Sequence, residues 1–203
     1  LQPQNNTIYM AGRYSFAKEG AQTGSGTLEA NGEAIDLALL NMLADTDIIK
    51  GRASLAMNVS FTPHQMTGRG HLHTKQLVLY DLQLGDLQAP LRFEKRRLIV
   101  DAETTEKDVR LTASLNLLQR GQPWKAQLEL IDFPYHRLLA LESIQGTISG
   151  TANLRGSLKQ LDFIYGKLRV RELNSQVSNF KLAAETPFDI ACAGRFIELD
   201  DLK

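Results

Sequence analysis

The feature that most constrains this chain is a two-residue alternation of apolar and polar side chains, clearest in DVRLTASLNLLQRGQPWKAQLEL, residues 108–130. Val109, Leu111, Ala113, Leu115 and Leu117 alternate with Arg110, Thr112, Ser114 and Asn116, then Trp124, Ala126, Leu128 and Leu130 alternate with Lys125, Gln127 and Glu129. Successive side chains on a strand point to opposite faces, so each arm has a greasy face and a wet one. Arg120-Gly121-Gln122-Pro123 supplies turn residues, and the stretch reads as a β-hairpin. Burying each Leu or Val contributes roughly 1.5 to 3 kcal/mol, yet a lone hairpin is marginal in water, so something must cover the greasy face.

Similar runs recur along the chain. Residues 9–16, 26–30, 53–61, 70–74, 76–84, 91–93 and 98–102 read as strands before the hairpin, and 147–154, 166–171, 176–184, 188–193 and 196–199 after it. Short alternating runs separated by Gly, Pro, Asn or charged turns predict an all-β, antiparallel architecture. Two segments depart from period two. In EAIDLALLNMLAD the residues Ile35, Leu39, Leu40, Met42 and Leu43 fall at helical spacing. In DFPYHRLLALES, Leu138, Leu139 and Leu141 follow Pro134, with Asp132 placed as a cap. Both are expected to be short helices.

An internal repeat organises these elements. Ile49, Gly51 and Asn58 align with Ile144, Gly146 and Asn153, and Leu72, Leu77 and Leu84 with Leu168, Leu173 and Phe180. Upstream, Leu28 aligns with Leu128 and Leu39 with Leu139. The chain is therefore expected to hold two copies of one unit of hairpin, short helix and meander. The first spans residues 1–100 and the second 101–203, together forming one continuous elongated domain. The start on Leu1 and the end on ELDDLK suggest a piece of something longer.

The 203 residues are 43% hydrophobic, enough for a real core, and carry 23 basic against 23 acidic residues. With no net charge there is no overall field to attract nucleic acid, and Lys95-Arg96-Arg97 reads as a solvated turn. Cys192 is alone, which excludes an internal disulfide and a multi-cysteine metal site, and its place after Phe188 and Ile190 makes it a small buried hydrophobe. His71 and His73 share one strand face but lack a third ligand, so no metal and no cofactor is expected. No Ser has a nucleophile context, the Gly-Ser-Gly and Gly-Arg-Gly stretches do not open a helix, and the paired acids fall in turns. Catalysis is not expected.

The greasy rows, Leu72, Leu77 and Leu79 in one copy and Leu168, Val170 and Leu173 in the other, have two possible destinations. They can close as a sandwich core, or line a sheet that curls into an open trough. A structural or adhesive sandwich or β-helix segment, binding protein or glycan, follows from the first. Retention of acyl chains follows from the second, since each CH₂ leaving water contributes about 0.8 kcal/mol without directional bonds.

The segment IQGTISGTANLRGSLKQLDFIYGKLRVRELNSQVSNFKLAAETPFDI resembles the TamB, AsmA and YhdP-like proteins of the bacterial envelope. The resemblance rests on the recurring I-x-G, the N-L-x-G-S-L turn, the G-x-L strand and the strand that follows Pro187. It implies an elongated antiparallel meander curled into a U-shaped groove, in the periplasm, as part of an inner-membrane-anchored parent. It also implies phospholipid acyl chains as ligand, conducted between inner and outer membranes, and an outer-membrane β-barrel partner of the parent that would link it to outer-membrane protein assembly. The groove positions it implies are Leu111, Leu115, Leu128, Leu130, Leu168 and Val170. The family has no catalytic residues to transfer.

Overall fold

The chain is described by a computed structural model over residues 7–15, 24–39, 49–79, 82–134, 137, 144–177, 180–184, 186–193 and 196–200. Its strands are β1 (Thr7–Ser15), β2 (Ser25–Asp36), β3 (Ile49–Phe61), β4 (Met66–Leu79), β5 (Leu82–Lys95), β6 (Arg97–Thr104), β7 (Val109–Asn116), β8 (Pro123–Pro134), β9 (Ile144–Ser157), β10 (Gln160–Val177), β11 (Phe180–Ala183), β12 (Phe188–Ala193) and β13 (Phe196–Asp200). All belong to one antiparallel sheet in sequence order. The exception is β11, which pairs with the end of β10 over Asn174–Val177, while β12 takes the stretch Tyr165–Val170. The sheet does not close: among the described residues β1 pairs only with β2, and β13 only with β12.

Registry turns the sequence alternation into two faces, because residues directly opposite one another on paired strands share a face. One row runs Leu28, Val59, Gly68, Phe93, Leu98, Leu115, Trp124, Gly156 from β2 to β9. A parallel row holds Gly32, Leu55, Leu72 and Ala89, and continues with Ala102, Leu111, Leu128, Ala152, Leu168 and Ile190. The intervening positions give a polar face, with Ser114, Lys125, Arg155 and Tyr165 in one row and Thr112, Gln127, Asn153 and Lys167 in the next.

One break in this registry, between Gln160 and Tyr165, lies near the start of β10; the others fall in one band across the sheet. They lie between Gly32 and Ile35, Lys50 and Arg52, Thr74 and Leu77, Leu130 and Phe133, and Val170 and Glu172. Ala34, Gln76 and Asp132 adopt positive φ in this band, as does Gly51 at 124°; Gly146, at 142°, lies beyond it on β9 opposite Ser175. A bulge inserts a residue, bends its strand and raises the local twist, so a row of bulges makes a fold line. Dry side chains flank that line: Phe133 and Val170 are 0% exposed, and Leu37, Leu77, Leu84, Leu87, Val109, Leu130 and Ile148 are buried around them, while Val59, Leu91 and Phe93 form a second buried cluster. All strands belong to one sheet, so these residues become dry only because the sheet curls over its own apolar face.

The two expected helices are corrected at their starts. Ile35 lies in β2, and Asp132 and Pro134 in β8. Helical geometry among the described residues is confined to a turn at Ala38 and Leu39 and to Arg137; the remainder of both segments lies outside them. The extra residue of a bulge shifts period two by one position and imitates helical spacing, which is how Ile35, a strand residue, is counted with Leu39. Two expected strands also divide. The run 76–84 is the end of β4 and the start of β5, and 176–184 is the end of β10 followed by β11.

Candidate functional site

The groove residues expected from the sequence all lie on the apolar face, but they divide into two environments. Leu130 is 6% exposed and Val170 0%, and both belong to the closed core at the fold line. Leu111, Leu128 and Leu168 are half-buried and pack against that core from the open side. Leu115 is half-buried opposite Leu98 and Trp124, outside both buried clusters. Leu72 and Ile190 extend the half-buried row toward β4 and β12. The candidate site is this row: a strip of aliphatic side chains crossing the sheet beside its dry fold, with no second sheet among the described residues.

Strands lie about 4.7 to 4.9 Å apart, so the strip from β4 to β12 is on the order of 35 Å long. The hydrocarbon core of a bilayer is about 30 Å thick for two leaflets, so one acyl chain needs about half that length. Glycine and alanine set the strip's depth. Ala89 and Ala152 lie in the same row as the leucines, and Gly150 and Gly166 remove side chains from the rows on either side.

A second arrangement, unforeseen from the sequence, holds the fold line shut. The β6–β7 turn stops at the bulge band, and the Arg137 guanidinium lies beside it. Its Nε donates to the Gln83 carbonyl at 2.8 Å and its Nη2 to the Leu84 carbonyl at 2.7 Å. Nη1 donates to Glu106 at 2.7 Å and to Asp108, and the guanidinium carbon lies 4.9 Å from the centre of the Phe133 ring. Asp108 also accepts from the Thr104 hydroxyl at 2.6 Å, and that hydroxyl accepts from the Val109 amide at 3.1 Å. Nothing in the local pattern around Arg137 distinguishes it from a solvated arginine; its partners come from β5 and the β6–β7 turn.

The polar face is not chemically uniform. His71 and His73 both lie on it, opposite Ala56 and Pro90 and opposite Ser54 and Gln88 respectively. Among the described residues no group of three His, Cys, Asp or Glu side chains is placed to hold a metal ion. Arg110 donates to Glu103 at 2.8 Å, and that bond, with the carboxylate's charge, raises the guanidinium pKa above its ordinary value. Lys95-Arg96-Arg97 forms an exposed turn in which Arg96 donates to the His64 carbonyl at 3.2 Å. Cys192, expected to be buried, is half-buried on the apolar face opposite Gly166, 3.2 Å from the Ile164 carbonyl.

No family model, curated protein or solved structure matches this chain. No helix among the described residues is long and apolar enough to cross a membrane. The functional reading therefore stands on the geometry of the faces.

Proposed function

We propose that the chain is a lipid-holding segment of a TamB, AsmA and YhdP-like envelope protein, in which the half-buried strip through Leu111, Leu128 and Leu168 seats phospholipid acyl chains. In this reading the parent is anchored in the inner membrane, crosses the periplasm, conducts phospholipid toward the outer membrane and engages an outer-membrane β-barrel during protein assembly. The segment acts as a conduit and performs no catalysis, and it uses neither cofactor nor nucleic acid.

One observation carries the reading. A single curled sheet leaves Leu72, Leu111, Leu128 and Leu168 of one aliphatic row partly exposed beside buried Ala89, Ala102 and Ala152, and apolar side chains left uncovered along several strands mark a ligand or partner site. Acyl chains fit a surface with no directional demands, and each CH₂ removed from water there contributes about 0.8 kcal/mol. In this reading the strip is the wall of a trough beside the bulge-lined fold, where one ligand touches several strands at once.

The deciding experiment is native mass spectrometry of the chain purified without detergent, followed by extraction and identification of bound lipid. Phospholipid retained by the wild type and lost from Leu128→Asp and Leu168→Asp variants that keep their β-sheet circular dichroism supports the reading. A folded chain free of lipid favours the structural or adhesive alternative and overturns it.

A further inference from the structure

Among the described residues the polar face carries three directly opposed pairs of cations: Arg52 with Lys75, Arg69 with Arg92, and Lys125 with Arg155. Opposed side chains on paired strands have Cβ atoms about 4.5 to 5.5 Å apart, and like charges so placed are destabilising. Two of the pairs have carboxylates at hand. Arg92 lies 2.7 Å from Asp101 and 3.9 Å from Glu94, and Arg52 and Lys75 share a depression of about 380 Å³ with Asp86. Lys125 and Arg155 form no ion pair among the described residues. They line a depression of about 750 Å³ with Ser114, Gln127, Asn153, Tyr165 and Lys167; no Asp or Glu lines it, and a carboxylate beside it, Asp189, is taken by Lys167 at 2.7 Å.

The registry places this depression on the polar face. Its walls come from the two rows that contain Lys125 and Gln127, whereas Leu111, Leu128, Leu115 and Trp124, which flank the same strip on the other face, are absent from it. The row between those walls, Ala113, Ala126, Leu154 and Gly166, turns its side chains away and leaves a backbone floor. A neighbouring depression of about 500 Å³ shares Lys125, Arg155 and Tyr165 and adds Arg97, again without a carboxylate. The chain is neutral overall, with 23 residues of each sign, so a concavity with unneutralised cations is a local arrangement and not a reflection of composition.

We infer that Lys125 and Arg155, with Tyr165 at their side, form a binding site for a phosphate group. A guanidinium presents paired N–H donors that match two phosphate oxygens, an ammonium adds a mobile point charge, and the hydroxyl and amide groups of Tyr165, Ser114, Gln127 and Asn153 can donate to the remaining oxygens. The bound anion replaces the carboxylate that the other two pairs possess. The site lies on the face opposite the acyl-chain strip and does not depend on it.

Two titrations test the inference and identify the source of the phosphate. Inorganic phosphate is followed by ¹H–¹⁵N NMR, and vesicles of phosphatidylglycerol in phosphatidylcholine by cosedimentation against phosphatidylcholine alone. The amides of residues 124–127 and 153–156 are expected to shift with phosphate, and Lys125→Gln/Arg155→Gln to weaken binding by about tenfold or more. Arg52→Gln/Lys75→Gln, which makes the same change of charge, is expected to bind as the wild type does, and Lys125→Arg/Arg155→Lys to retain binding. Loss of vesicle binding in the Gln pair assigns the phosphate to a lipid headgroup; an effect on inorganic phosphate alone assigns it to a free anion. Both support the site. Unmoved amides together with vesicle binding indifferent to the Gln pair would overturn it, and Arg155→Gln alone carries the same test should the double variant misfold.

Discussion

Arg137 and Asp108 form an ion pair across the fold line of the sheet, each side chain only 11% exposed. The pair joins the chain after β8 to the β6–β7 turn, and the same guanidinium holds the start of β5 through two carbonyls. A buried ion pair is weak evidence of net stabilisation, because desolvating both charges offsets much of their attraction, but removing one partner leaves the other uncompensated. Here the arginine also satisfies carbonyls that β6 and β7 are too short to reach.

Arg137→Met is therefore expected to lower unfolding stability by about 3 to 5 kcal/mol, since it leaves the Asp108 carboxylate buried without its cation. Adding Asp108→Asn is expected to recover part of that loss. Urea denaturation of the single and double variants measures both, and a single variant as stable as the wild type would show that the pair does not hold the fold.

The expected groove residues divide by environment, and the division is measurable. Val170→Asp and Leu130→Asp place a charge in the closed core, where an isolated carboxylate has no partner, and are expected to unfold the sheet. Leu111→Asp, Leu128→Asp and Leu168→Asp lie on its open side and are expected to keep the circular dichroism of the sheet while losing bound lipid. Uniform unfolding by all of these variants would make the strip an ordinary core.

Gly51 and Gly146 hold φ of 124° and 142°, a region that side chains disfavour, and a Cβ at either would meet backbone, 2.8 Å from the Gln76 carbonyl oxygen or against that of Asn174. Alanine at either is expected to cost more than about 1 kcal/mol. Gly12→Ala is the control: its Cβ would have 3.5 Å to the nearest atom, and it is expected to change stability by less than about 0.5 kcal/mol. Thermal unfolding of the three variants provides the comparison.

Thr74 and Thr104 are both buried on the apolar side, and the same substitution is expected to act with opposite sign. Thr104 bridges Asp108 and the Val109 amide, whereas the Thr74 hydroxyl has no hydrogen-bond partner among the described residues. Thr104→Val is expected to destabilise by about 1 to 3 kcal/mol, and Thr74→Val to be neutral or to stabilise by up to about 1 kcal/mol. Denaturant midpoints of the two proteins check the signs.

The hairpin at residues 108–130 was legible because both of its arms keep strict period two up to Leu130 and its turn contains Gly121, whose φ is 84°. Legibility failed where period two failed. Each bulge shifts the alternation by one residue, so Ile35 and Pro134 resembled helix positions, and the run 76–84 concealed the reversal between β4 and β5. The strip itself was legible as a face but not as a gradient. Alternation places Leu128 and Leu130 side by side, and only the fold line beyond Leu130 makes one half-wet and the other dry.

Alternation alone thus determined that the chain is an antiparallel meander with one apolar and one polar face, because a strand's side-chain period is a local property of its backbone. Tertiary structure decided where the sheet bends, which aliphatics become dry, that Arg137 lies buried against Asp108, and that Lys125 faces Arg155 without a carboxylate. Those outcomes depend on registry between strands separated by a turn or more, and registry is an agreement between distant segments that no single segment encodes.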